Sequence, residues 1–410
     1  MSPHASGDSV IVRSVLYAEI LLTPILAALA PLGLATLIWL GGMTLAADAA
    51  TRQALTAKAP PPFYLLLAGL AGWGLLSSAW SVHPEQSLWS GTRLLLLVLI
   101  ALLHLKAVET LGPEPRRRIL RGMAFAGLGY LLIVTLAVGS ESPLVKLFHL
   151  IDPKNLDDDK SRFNRGIAAY TVLCSAYVMA WIRYRGALWG IAFGFLSVAV
   201  LTHGMSMAVP LTILGAGLIG TLAWKLGRPV AFAAYGIMLA LFLLLPQIFA
   251  ALYSQDWVKE LLRNTMSWNI KHRLIIWQFA TERYFEHPLL GWGLDGSRRL
   301  PGGSDSIPGV EGAEFMPLHP HNGFLQVWLE LGVPGAILLA ISLALLARYQ
   351  MANLGDAKLR LGLVLAASFA YFIQGSVSYG IWQNWWIAVA LLSALHFAIT
   401  APFNPSRPTP

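Results

Sequence analysis

Twelve apolar runs divide this chain from end to end, most of them close to the length that crosses a bilayer. They fall at 15–30, 31–48, 62–80, 87–108, 120–139, 166–183, 187–202, 205–224, 229–253, 321–347, 359–380 and 384–401. A spanning helix needs about 20 predominantly apolar residues, and only helices or closed barrels satisfy their backbone inside lipid. The pattern therefore predicts an all-α polytopic membrane protein with about twelve transmembrane helices. The first two runs are almost continuous and are divided at Pro31-Leu32-Gly33, because Pro and Gly interrupt helices. Composition removes the soluble alternative. Charged residues make up 12% of the 410-residue chain and hydrophobic residues 56%, against about 25% charged in soluble domains. The lone cysteine, Cys174, excludes a disulfide framework and a cysteine zinc site, and its apolar surroundings make it a packing residue. We read 1–410 as a single integral membrane domain without internal repeats, ending in a short disordered tail from Pro402.

The net charge of +8 bears on orientation rather than on nucleic acid. Alternate short connections carry Arg52 and Lys58, Arg116 to Arg118, Arg183 and Arg185, Lys225 and Arg228, then Arg348 and Lys358. The intervening ones, near 80–87, 202–205 and 380–384, contain no Lys or Arg. The positive-inside rule then places both termini in the cytoplasm and two longer loops, 140–165 and 254–320, on the opposite side. The larger loop falls between the ninth and tenth runs. Ala28-Leu29-Ala30 could mimic a signal-peptidase site, but the apolar run continues past it, so an uncleaved first span is expected.

Polar chemistry collects in the two outward loops. The smaller one contains Asp157-Asp158-Asp159, which invites a hard cation. Lys154, Lys160 and Arg162 balance it, so a solvated loop is the plainer reading. Arg165 stands apart at the start of an apolar helix, where it can snorkel or face a cavity and hold an anion. In the larger loop, 268–287 has helical spacing and Pro288 stops it. A helix lying on the membrane explains its aromatics but not Arg273 among Leu274, Ile275 and Trp277. His319-Pro320-His321-Asn322 opens the next run, and Pro320 is expected to send the two imidazoles on different bearings. Zinc would need a third ligand, and no spacing singles out His287, Glu311 or Glu314. No phosphate-binding glycine loop or HExxH occurs, so neither metal nor cofactor is expected.

His321-Asn322, nine residues, then Gly332-Val333-Pro334-Gly335 resembles the signature of the O-antigen ligase/polymerase family of bacterial inner-membrane proteins. Glu330 and the upstream His287-Pro288-Leu289-Leu290-Gly291-Trp292-Gly293 strengthen the resemblance. It implies a GT-C-like glycosyltransferase with its site on the periplasmic face. The donor would be a glycan on undecaprenyl diphosphate, and in the ligases the acceptor is a sugar hydroxyl of lipid A–core. Family members rely on basic residues and a histidine, which here correspond to Arg165, Arg273 and His321, with Asn322, His319, Arg298 and Trp292 as supporting residues. One departure is Leu201-Thr202-His203-Gly204-Met205-Ser206, where many members have a Ser-Arg pair.

The chemistry is consistent with those residue types. Cleaving a sugar–diphosphate bond builds negative charge that guanidinium forks can hold. The attacking hydroxyl needs a proton acceptor, which an imidazole supplies near neutral pH. Attack opposite the leaving group would invert the anomeric carbon, and two arginines could replace a divalent metal. A polysaccharide polymerase or a protein O-oligosaccharyltransferase would use the same donor. A transporter would instead show two related halves and charges inside its spans. The span charges here (Glu19, Asp48, Arg93, Lys106, Arg121, Arg183, Glu330 and Arg360) lie mostly near span ends.

Overall fold

The computed structural model describes residues 9–138, 163–202, 208–258, 260, 268–308, 310, 312–354 and 357–402. The triple aspartate therefore lies outside the described residues, as do residues 203–206 of the segment that departs from the family pattern. Each of the twelve apolar runs contains a helix. In chain order these helices are α1 (Val10–Leu29), α2 (Gly33–Ala47), α3 (Ala49–Ala57), α4 (Pro62–Leu76), α5 (Pro84–Glu109) and α6 (Pro113–Val138). They are followed by α7 (Asn164–Arg185), α8 (Ala187–Leu201), α9 (Ala208–Leu226), α10 (Arg228–Leu243) and α11 (Leu245–Tyr253). Helix α12 (Trp268–Glu286) precedes α13 (Gly323–Leu354), α14 (Lys358–Val377) and α15 (Asn384–Ile399).

Among the described residues, eight helices are long and apolar enough to cross a membrane, and ten crossings result if each bent pair forms one span. The two remaining runs of the twelve expected hold α8 and α15, apolar helices of only 15 and 16 residues, about 22–24 Å against a hydrocarbon core of about 30 Å. Hydropathy runs do not register bends. The chain turns by 86° between α2 and α3, where the Asp48 carboxylate accepts the Thr51 N–H at 2.7 Å and caps α3. It turns by 60° between α10 and α11. Pro246 cannot donate to the Phe242 carbonyl four residues back, and the Trp328 indole N–H takes that carbonyl at 2.8 Å instead.

The most enclosed span is α7, with 72% of its apolar window buried. Its Tyr170 stacks on Tyr130 of α6 at 3.8 Å, and its hydroxyl donates to the Gly127 carbonyl at 3.0 Å. Gly166 lets the start of α7 press against α1, since a Cβ there would stand 2.0 Å from the Ala27 carbonyl oxygen. This packing fixes the position of Arg165, one residue earlier.

A kink in α13 sets the geometry around its entrance. Gly332 has φ 60° and ψ −159°, and Pro334 follows within the same helix. Both interrupt the helical ladder, and backbone carbonyls at membrane depth cannot stay unpaired. The 288–293 loop supplies most of the missing partners. The Trp292 N–H donates to Leu329 at 3.0 Å, the Gly293 N–H donates to Glu330 at 2.8 Å, and the Val333 N–H donates to Pro288 at 3.1 Å. The Trp73 indole takes the Leu331 carbonyl at 3.0 Å.

Candidate active site

Four segments bring polar side chains to one end of the helices. They are the first turn of α7, helix α12, the 319–322 turn before α13, and the 378–383 connection between α14 and α15. Helix α12 is held over the turn by the Trp277 indole, which donates to the Pro320 carbonyl at 2.8 Å, and Trp277 stacks on Phe249 of α11.

His321 sits at the centre with left-handed backbone, φ 54°. An L-residue other than glycine pays for that conformation, so it persists only where surroundings enforce it. Two hydrogen bonds do so. The His321 N–H donates to Nδ1 of His319 at 3.1 Å, and Nδ1 of His321 lies 2.8 Å from the Ser378 carbonyl. A carbonyl only accepts, so Nδ1 carries the proton and Nε2 presents a lone pair. Nε2 makes no hydrogen bond among the described residues. Burial pushes this imidazole below its ordinary pKa; the Ser378 bond opposes the shift, and the charges of Arg273 and His272 add to it.

His319 is 5% exposed and packs against Gly380, where an added Cβ would meet its ring at 2.9 Å. Its ring lies 4.4 Å from that of His321, so Pro320 does not separate the two imidazoles as expected. The proline fixes backbone, while the left-handed turn at His321 brings the rings back together. His319 is pushed down to about 3 by burial, helped by His321, Arg298 and Arg165. It is therefore neutral, and its Nδ1 can accept from the His321 backbone. Its other ring nitrogen meets the Gln383 amide at 3.0 Å. Asn322 is buried and caps α13, its Oδ1 accepting the Leu325 N–H at 3.0 Å.

The arginines approach from different elements. Arg273 projects from α12 and is half-buried; burial lowers its pKa and Tyr379 opposes that shift. Arg165 is exposed in the first turn of α7 and makes no ion pair among the described residues. Both charges act on the Tyr379 hydroxyl, which burial raises to about 12. Arg298 stands in a short turn, Gly296–Arg299, with its Nε 3.3 Å from Asp295. Arg165, Arg273, Arg298, His319 and His321 thus share one electrostatic environment. Trp292 belongs elsewhere. Its indole donates to the Arg283 carbonyl at 2.8 Å and its backbone braces the α13 kink, so it is a strut two turns from the histidines.

Several residues of this site were not identified from the sequence. Ser378, Tyr379 and Gln383 lie on a connection notable in the sequence only for lacking Lys and Arg. His272 reaches the Glu314 carbonyl at 2.9 Å. Glu330 is fully buried two residues before the kinked Gly332 and joins three segments. Its carboxylate accepts from Ser297 Oγ at 2.5 Å, the Asp295 N–H at 2.5 Å, the Trp382 indole at 2.6 Å and Gln326 at 2.9 Å. Gln326 in turn accepts the Ile381 N–H at 3.0 Å. Glu330 thus braces the connection that supplies the Ser378 carbonyl. Ser378 Oγ and Asn164 Oδ1 are buried at this end without partners. Among the described residues no three His, Cys, Asp or Glu side chains converge as a metal site would require.

Residues 170–340 match the family described as O-antigen ligase, a stretch containing His272, Arg273, both histidines of the 319–322 turn and the kinked glycines. Arg165 and the 378–383 connection lie outside it. A Rickettsia conorii protein whose provisional name is polysaccharide ligase is 28% identical over 324 residues, covering 77% of this chain and 74% of its own length. A Rickettsia bellii protein with the same provisional name is 26% identical over 337 residues, covering 78% and 76%. A third, from Rickettsia felis, is 35% identical over 181 residues, covering 42% of each chain. Residues 170–340 are therefore similar to an O-antigen ligase family domain, and they lie within an all-helical, multi-pass membrane protein.

Proposed function

We propose that this protein is a glycosyltransferase that moves a glycan from undecaprenyl diphosphate onto a sugar hydroxyl of lipid A–core, at the periplasmic face of the bacterial inner membrane. The observation that carries the proposal is His321. Its proton on Nδ1 is held by Ser378, its Nε2 is free, and Arg273 acts on it from α12. Nε2 takes the acceptor hydroxyl's proton as the new glycosidic bond forms. Arg273 and Arg165 hold the departing diphosphate, whose charge grows as the old bond breaks. Arg298 adds positive potential, and His319 and Asn322 hold the histidine turn. Attack from the face opposite the diphosphate gives an inverted product. The two guanidiniums supply the charge of one divalent ion, so transfer proceeds without metal.

The test uses purified protein, lipid-linked donor and lipid A–core acceptor in excess EDTA. Wild type transfers under these conditions. His321→Ala, folded and inserted, loses about 10²–10⁴-fold, the usual contribution of a general base. Transfer by His321→Ala within a few-fold of wild type, or chelator-sensitive transfer restored by Mg²⁺, refutes the corresponding assignment. Lipopolysaccharide from a deletion strain identifies the acceptor: long chains left on the lipid carrier mean ligation has failed, while single repeat units mean polymerisation has.

A further inference from the structure

At the opposite end of the helices, three arginines converge without an acid. Arg116 opens α6, Arg183 closes α7 and Arg360 opens α14. Arg116 donates to the Ala398 carbonyl at 2.8 Å and Arg360 to the neighbouring Phe397 carbonyl at 2.9 Å, both in the last turn of α15. Arg183 is exposed, forms no hydrogen bond or ion pair among the described residues, and repels both of the others. Along α7, α14 and α15, this cluster lies about 20–27 Å from the His321 site.

A structural role explains part of the arrangement. The carbonyl end of a helix carries roughly −0.5 charge and attracts cations. Three guanidiniums bring +3, so about +2.5 remains at the edge of an apolar medium. No described carboxylate offsets it: Glu114 pairs with Arg117 at 3.3 Å and Glu109 pairs with Lys106 at 3.2 Å. The donors are also underused. Nε of Arg116 and Nε of Arg360 are both buried without a partner, and a guanidinium offers five N–H groups. An apolar groove of about 360 Å³ opens between α7, α8, α9 and α14. It is lined by Val178, Ile191 and Leu363 and reaches Leu359, the neighbour of Arg360.

We infer that Arg116, Arg183 and Arg360 form a binding site for the phosphate of an anionic phospholipid, with an acyl chain lying in the adjoining groove. Basic pockets between membrane helices hold anionic headgroups in this way, and forked guanidiniums suit phosphate oxygens. In the orientation expected from loop charge, the lipid belongs to the inner leaflet. The inference does not depend on the glycosyltransferase proposal, because the cluster shares no residue with the His321 site.

The test titrates phosphatidylglycerol, phosphatidylcholine and inorganic phosphate into full-length protein in neutral detergent. Lipid retention is read by native mass spectrometry and the unfolding midpoint by thermal denaturation. Arg116→Gln and Arg360→Gln could disturb α15, so the informative variant is Arg183→Gln, whose side chain has no protein partner to lose. Arg117→Gln, an exposed arginine in the same basic stretch, removes the same charge outside the cluster. Phosphatidylglycerol should be retained and should raise the midpoint of wild type. Its apparent affinity should fall at least about tenfold in Arg183→Gln, the loss of one charge-assisted hydrogen bond, and less than about threefold in Arg117→Gln. Equal losses in the two variants would mean diffuse surface charge rather than a site. Equal retention of phosphatidylcholine would remove the anionic requirement. Equal stabilisation by inorganic phosphate alone would assign the cluster to a free anion and overturn the lipid.

Discussion

His321 shows how a single backbone conformation prepares an imidazole for proton transfer. The left-handed turn aims its Nδ1 at Ser378 and its N–H at His319, and both bonds leave Nε2 as the free acceptor. The downward pKa shift works in the same direction. A lowered pKa keeps the ring neutral, and therefore basic, to a lower pH than a free histidine would allow. In the proposed reaction, kcat/KM should hold through the ordinary histidine range near pH 6.5 and fall only below it. Arg273→Gln removes one of the charges that disfavour protonation, so the acid limb should move to higher pH even as the overall rate drops. A pH profile of transfer measures both, and an unmoved limb would mean that Arg273 does not act on the base. His321 and Arg273 could be found in the sequence because a histidine at a span entrance and an arginine in an aromatic stripe break local patterns. Ser378 could not, since its contribution is a backbone carbonyl 57 residues away. Burial of His319 was equally invisible, because Gly380 and Gln383, which enclose it, arrive from another connection.

At the scale of elements, two motifs read separately in the sequence are halves of one joint. Gly291 (φ 71°) and Gly332 (φ 60°) face each other across the loop and the kink of α13. A Cβ on Gly291 would stand 2.4 Å from the Glu330 backbone, and one on Gly332 would stand 2.3 Å from the Leu289 carbonyl oxygen. Either substitution meets main chain, which cannot swing aside, and also forces an L-residue into left-handed backbone. We expect Gly291→Ala and Gly332→Ala each to cost about 3 kcal/mol or more, seen as lost folded yield and a lowered unfolding midpoint in detergent. Gly129→Ala in α6 is the matched control, because nothing lies within 4 Å of its added Cβ. Similar midpoints for all three variants would show that the joint tolerates movement. The spacing revealed that the motifs belonged together but not what they did. Their partners are carbonyls released by Gly332 and Pro334, and such a demand emerges only once the helix is built. Bends were likewise hidden within the apolar runs: at Asp48 and at Pro246 a side chain or a missing donor redirects the helix without lowering hydropathy.

Across the whole molecule, we propose that the two polar ends face opposite sides of the membrane, a reading that helix length supports before any charge rule is applied. Arg165 and Arg183 lie on one continuous helix, separated by about 27 Å along its axis. Arg360 and the Ser378 carbonyl bracket α14 at a similar separation. The His321 end and the arginine end are thus joined by single helices of about bilayer thickness. The proposed direction rests on charge: beside the arginine end the Lys358 ammonium meets the Lys225 carbonyl at 3.5 Å, and basic short loops favour the cytoplasm. A phosphatase that is active only in the periplasm should therefore be silent when fused after Leu354, at the far end of α13 from His321. It should be active when inserted within 300–308, on the outward loop. Each fusion also reports on the span between them: α13 has 32 residues with a kink, enough to cross once and not twice. Activity at both positions would show that α13 is re-entrant, and the reverse pattern would put the candidate active site in the cytoplasm. That second result would separate His321 from any periplasmic acceptor, and transfer onto lipid A–core would no longer be its reaction.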